Sequence, residues 1–188
     1  MFRRPLTTNR FGARATLLRG ASVLALAAGG VSLTLPARAD TPAYQGPTNG
    51  AWGTGLNWTT GAAPNAGSDT TVKNGRVVNT DGDDSTATLT VGPTTGSGVT
   101  ISDHTKLTVG GALTNRGLIT LNSSGNTTEL WTAPGGTITL SDGGTLQLSN
   151  SSFNLIWDGS NSTGSLVNVD NTIQGSGNIG VTSLGLTN

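Results

Sequence analysis

Val99-Thr100-Ile101-Ser102-Asp103 and Ile138-Thr139-Leu140-Ser141-Asp142 are one phrase written twice. A shorter copy, Ile119-Thr120-Leu121, stands midway between them. Each long copy runs into a second apolar–polar–apolar triplet, Leu107-Thr108-Val109 and Leu146-Gln147-Leu148, at the same offset as the phrases themselves. Self-similarity at a period of about 20–50 residues marks an architecture of stacked repeats. Apolar residues at every second position mark strands with one buried face. The stretch 99–148 therefore reads as coils of a β-solenoid.

The pattern extends both ways. Thr70-Thr71-Val72, Arg76-Val77-Val78, Leu89-Thr90-Val91 and Val167-Asn168-Val169 alternate in the same manner. Turn signals separate the runs: Asp81-Gly82, Gly92-Pro93, Gly110-Gly111, Pro134-Gly135-Gly136, Asp142-Gly143-Gly144 and Asp158-Gly159. No run after Ala39 carries a helical period. The spacing predicts an all-β parallel β-helix over 70–188, with about five or six coils between Thr70 and Gly180. A two-sheet sandwich is the structural alternative, but it leaves the long echo without a cause.

The chain has 188 residues, no cysteine, one histidine and a formal charge of zero. That neutrality hides an asymmetry. Arg3, Arg4, Arg10, Arg14, Arg19 and Arg38 all lie before Ala39. The remainder keeps only Lys73, Arg76, Lys106 and Arg116 against all ten acidic residues. Nucleic-acid binding rests on clustered Lys and Arg, so nucleic acid is excluded as an expected partner. The absence of cysteine excludes a disulfide scaffold.

The segment 1–19 is basic and free of acid, 21–35 is small and apolar, and Ala37-Arg38-Ala39 is an A-x-A site. This order is that of a secretory signal peptide, with an apolar core too short to span a membrane. Cleavage is expected after Ala39, so residues 1–39 read as signal peptide. Residues 40–69 read as a linker and cap. They carry Trp52 and Trp58 just before the repeats begin. A solenoid's first coil exposes a sheet edge and a core end, so terminal repeats are atypical, and large rings cover such an end with few residues.

The order Trp52, Asn57-Trp58, Gly61, Pro64, Asp69 and then strands resembles the start of passenger domains in bacterial autotransporters and related β-helical surface proteins. Asn171-Thr172-Ile173-Gln174-Gly175-Ser176-Gly177-Asn178-Ile179-Gly180 is similar to such passengers in its Gly-x-Gly followed by an aliphatic. The resemblance implies a right-handed β-helix and a cell-surface or outer-membrane location. It also implies a β-barrel translocator downstream of Asn188, with the repeats open or truncated at their C-terminal end. The implied activity is that of an adhesin, with host or surface glycans or proteins as partners.

Candidate chemistry is sparse. Asn79-Thr80-Asp81-Gly82-Asp83-Asp84 is the one acidic cluster. It lacks the alternating acids and distal Glu of an EF-hand. Its Asn-Thr-Asp followed by paired Asp resembles part of a polygalacturonase site, but the Gly-His-Gly and Arg-x-Lys elements of that family are absent. It reads as a solvated turn. His104 beside Asp103 suggests a base and its orienter, yet the phrase alignment sets His104 opposite Gly143 and demotes it to an exposed turn. The pairs Thr86/Thr88, Thr88/Thr90 and Thr137/Thr139 hint at ice binding, against ordinary β-propensity. Asn57-Trp58-Thr59 fits a glycosylation pattern by chance composition. Glu129-Leu130-Trp131 and Leu155-Ile156-Trp157 place the other two tryptophans on strands, as core or sheet-face packing. No catalytic, cofactor-binding or metal-binding residue is assigned, and no cofactor is expected. The sequence reading is thus an exported, non-enzymatic surface solenoid. Its alternatives are a secreted polysaccharide-acting enzyme using Asp81, Asp83 and Asp84, and a structural matrix protein.

Overall fold

The computed structural model describes residues 39–158, 163–180 and 183–188. The signal-peptide reading, apart from Ala39, lies outside the described residues. A short strand, β1 (Gly50–Ala51), and one 3-10 turn (Gly55–Asn57) precede the first coil. Five successive three-segment coils follow. The first is β2 (Asp69–Val72), β3 (Val77–Asn79) and β4 (Asp83–Thr86); the second is β5 (Thr88–Val91), β6 (Gly98–Ser102) and β7 (Lys106–Val109). The third is β8 (Ala112–Asn115), β9 (Leu118–Asn122) and β10 (Thr128–Thr132). In the fourth, β11 (Thr137–Ser141) leads into β12 (Thr145–Trp157), one strand long enough to serve two faces. In the fifth, β13 (Ser165–Asn168) leads into β14 (Thr172–Ile179), which does the same, and β15 (Gly185–Thr187) opens a further coil.

Every pairing between named strands is parallel, which rules out the antiparallel sandwich. Face A stacks β1, β3, β6, β9 and the first parts of β12 and β14. Face B stacks β4, β7, β10 and the last parts of β12 and β14. Face C stacks β2, β5, β8, β11, β13 and β15.

The period-two pattern becomes columns of like residues along the axis. Val78, Val99, Ile119 and Leu146 stack in register inside face A, as do Leu107, Leu130 and Ile156 inside face B. All of these are fully buried. Each such aliphatic side chain contributes about 1.5–3 kcal/mol by leaving water, and each coil extends the same core.

The coil length is not constant. Asp69 and its stacking partner Thr88 are separated by 19 in sequence, whereas Thr137 and its partner Ser165 are separated by 28. This corrects the repeat reading. Val99-Thr100-Ile101 does stack on Ile119-Thr120-Leu121, both on face A. Ile138-Thr139-Leu140 lies on face C instead, and the true partners of Ile119 and Leu121 are Leu146 and Leu148. The long echo is a strand–turn–strand phrase reused at two different corners. An apolar–polar–apolar triplet satisfies any of the three faces, because each has the same in–out alternation.

The polar interior sits at the corners. Asn154 is fully buried where β12 turns from face A to face B. Its Nδ2 donates to the carbonyls of Ser149, Ser151 and Ser176 at 2.9–3.0 Å, and its Oδ1 accepts from Ser123 N at 3.1 Å. At the C-to-A corner, the buried Asn115 donates to Asn171 Oδ1 at 2.9 Å. Gly175 and Gly177 are required where β14 crosses β12. A Cβ on Gly175 would lie 1.9 Å from Leu148 O, and one on Gly177 would lie 2.5 Å from Asn154 O.

At the N-terminal end, Asp40 bridges to Ser68, Ala43 bridges to Thr71, and β1 pairs with β3. The segment therefore lies along the first coil on faces C and A. Trp52 and Trp58 are 0% exposed, 5.0 Å apart and edge-to-face, with Tyr44 5.1 Å beyond Trp58. Trp58 Nε1 donates to Trp52 O at 2.7 Å, which satisfies the one polar atom of that ring. On face B, no strand among the described residues precedes β4. That edge carries Asp83 and Asp84, and charge on an edge strand discourages further strand addition.

Candidate functional site

The three carboxylates of the acidic cluster diverge. Asp81 Oδ1 accepts from Gly53 N at 2.7 Å, tying the tryptophan segment to the turn before β4. Asp83 faces outward and pairs with Lys106 at 3.0 Å. Asp84 stands in register with the buried Leu107 and is half-buried. Burial pushes its carboxyl up to about 6, against the stabilising backbone N–H of Asp81. Among the described residues, no group of three or more His, Asp and Glu side chains is placed to hold a metal ion.

His104 adopts a left-handed conformation with φ of 63°, and Gly143 has φ of 73°. The alignment of these two residues thus pairs two left-handed positions at different corners of the coil, but the turns differ one residue earlier, where Asp142 has φ of 83° and Asp103 is not left-handed. Asp103 is a clip. Its carboxylate accepts from Asn126 Nδ2 at 2.7 Å, Ser124 N at 2.8 Å and Asn126 N at 3.1 Å. These bonds, the Asn126 side chain foremost, hold it well below the usual carboxylate range. They fasten the loop 123–127 of the third coil over the corner of the second.

That loop creates the site. The segment 103–105 joins β6 to β7, and the longer segment 123–127 joins β9 to β10. The extra length raises a wall beside the shorter corner, and β12 continues it, with Ser151 Oγ and Ser123 Oγ 2.9 Å apart. The result is a cleft of about 340 Å³ lined by Asp83, His104, Lys106, Asn126, Glu129 and Phe153, among others. Asp83, Lys106 and Glu129 form one outward column in strict register. Two positions along the strands, Trp131 and Trp157 form the next column, also in register. Their rings are 5.4 Å apart at 85°. Trp157 Nε1 donates to Glu129 Oε1 at 3.2 Å, and Lys106 Nζ lies 4.1 Å from the centre of the Trp131 ring. Phe153 is 50% exposed.

A larger hollow of about 560 Å³ on face A is lined chiefly by Val77, Pro93, Thr100, Leu118 and Thr120. Its one charged side chain, Arg116, is bonded to Asp142 at 3.0 Å. It brings no convergent polar chemistry. Face C presents Thr71, Thr90 and Thr114 in one outward row, but the next row holds Asp69, Thr88, Ala112, Thr139 and Val167, so the threonine array is broken.

The sequence reading singled out Asp83 and His104 but not the cleft that joins them to Lys106, Asn126, Glu129 and Phe153. A signal was present for the tryptophans. If Leu130 and Ile156 point inward, period two turns Trp131 and Trp157 outward. No protein-family model, no curated protein and no solved structure matches this chain. Its class is accordingly set by its own architecture: a parallel β-solenoid of about five turns, with a mixed aromatic and charged patch on an outer face.

Proposed function

We propose that the chain is an exported, non-enzymatic surface protein of the autotransporter-passenger kind, a rigid solenoid whose outer face does the binding. One observation carries the reading. The described interior is scaffold throughout, while the cleft and, beside it, the Trp131–Trp157 pair are gathered on the outside of face B. The divergence of Asp81, Asp83 and Asp84 supports the non-enzymatic half, since acid and nucleophile work needs two carboxyls about one substrate bond. Export is supported by the position of Asp40. Its carbonyl accepts from Asp69 N at 2.7 Å, so the residue after the expected cleavage site already belongs to the ladder of the first coil.

Expression in a secreting bacterial host followed by intact-mass measurement tests export. The expected mature chain starts at Asp40; a cytoplasmic chain retaining residues 1–39 overturns it. Incubation with cello-, malto- and chitohexaose is expected to leave their masses unchanged, and shortened products overturn the non-enzymatic half.

A further inference from the structure

We propose that the face B cleft is a binding site for a neutral oligosaccharide, held between the wall at Asn126 and the exposed ring of Phe153 on one side and the Asp83–Lys106–Glu129 column on the other, with the Trp131–Trp157 pair beside that column. The inference rests on the surface-binding reading above and names the ligand class of its site.

Three observations converge. First, among the described residues, the aromatic side chains beyond the N-terminal cap gather at or beside this cleft: Phe153 lines it, and Trp157 is bonded to its Glu129. Aromatic faces flanked by hydrogen-bonding groups suit the alternating C–H and O–H surfaces of a sugar ring, as they suit other half-apolar, half-polar ligands.

Second, polar groups line the same hollow. Glu129 spends one carboxylate oxygen on Trp157 and has the second to offer. His104 is exposed at the rim. The Asn126 amide is pre-oriented by Asp103. Groups already fixed by the protein lose little freedom on binding.

Third, charge selects among glycans. Asp83 and Glu129 flank the cleft's cation, Lys106, in the same column, and Lys106 is already engaged by Asp83 and the Trp131 ring. The cleft therefore repels sulfated or carboxylated chains. Its volume of about 340 Å³ is at the small end of ligand pockets, which fits a short stretch of sugar rather than a folded partner.

Titration of the purified chain with cellohexaose, maltohexaose and chitohexaose, to about 10 mM, tests this by tryptophan emission. Trp52 and Trp58 are sealed from solvent, so a response reports on Trp131 and Trp157. A saturable change is expected with at least one of the three, with heparin giving none. W157A and E129Q are each expected to weaken the response about tenfold or more. E129Q is close in shape, so its loss is not one of folding. Silence with all three sugars overturns the proposal. So does an equal response to heparin, or full binding by both variants. Binding by the purified chain is independent of its route out of the cell, so failed export and a failed sugar site give separate results.

Discussion

The two tryptophan pairs share a geometry and differ in everything that surrounds it. Trp52–Trp58 and Trp131–Trp157 are both edge-to-face, at 5.0 Å and 66° and at 5.4 Å and 85°. The first pair has no exposed surface, and the Trp58 indole N–H is bonded to a backbone carbonyl. The second is half-buried on an outward column, and the Trp157 indole N–H is bonded to a carboxylate beside a cleft. Ring-to-ring contact is worth only about 0.5–1.5 kcal/mol beyond area burial. What covers the rings therefore decides the role, and position on the strand decides what covers them.

The largest expected effect separates the pairs directly. W58A removes a fully buried ring and is expected to cost about 3–5 kcal/mol in urea unfolding. W157A, half-covered from the outset, should cost about 1 kcal/mol. Equal costs would break the comparison. Next comes the corner beneath the second pair. N154A leaves Ser123 N and the carbonyls of Ser149, Ser151 and Ser176 without their buried partner. A loss of about 2–3 kcal/mol is expected, read from the same unfolding midpoint. A change under about 0.5 kcal/mol would show that the corner is not held by this side chain.

The acids near the two pairs titrate in opposite directions. Asp84, at the capped end, has a folded pKa raised to about 6 by burial, above the usual value of about 3.9 in an unfolded chain. The folded protein binds the extra proton between these values. Its contribution to stability is therefore greatest below about pH 4 and falls as pH rises to about 6. D84N should flatten that decline and raise the midpoint at neutral pH. Asp103, at the cleft, is depressed by the Asn126 and Ser124 bonds. Its contribution is present above the usual carboxylate pKa and lost as pH falls below it. D103N should weaken the acid side alone. Denaturation midpoints from acid to neutral pH check both, and slopes of the same sign in the two variants would refute the assignment.

The smallest effect concerns the turn at the cleft rim. His104 holds a left-handed conformation that glycine adopts freely. H104G trades that relief against a more flexible unfolded chain, and the midpoint should move by less than about 0.5 kcal/mol. A large loss would mean that the imidazole has a structural partner.

Much of the scaffold was legible. The triplets around Val99, Ile119 and Leu146 state their own alternation, and Gly and Asp-Gly turns divide them. Stacking of Val99 on Ile119 was readable from the spacing of the first two triplets. The face assignment of Ile138 was not, because the connections at 92–97, 123–127 and 133–136 change the coil length without disturbing any triplet. The same insertions hid the site. Asp83, Lys106 and Glu129 are distant along the chain and adjacent across the strands. Their column exists only once the coil lengths are known.

Local alternation and turn chemistry determined that this chain forms strands with one buried face, because the in–out period of a strand is a property of the backbone itself. The amino-acid order also determined which tryptophan neighbours point inward. Only the tertiary structure decided which triplets share a face, and it alone buried one tryptophan pair and left the other at the surface. The physical reason is that coil register is a sum over loop lengths and strand turns, and a sum of that kind is resolved by packing every coil on the next.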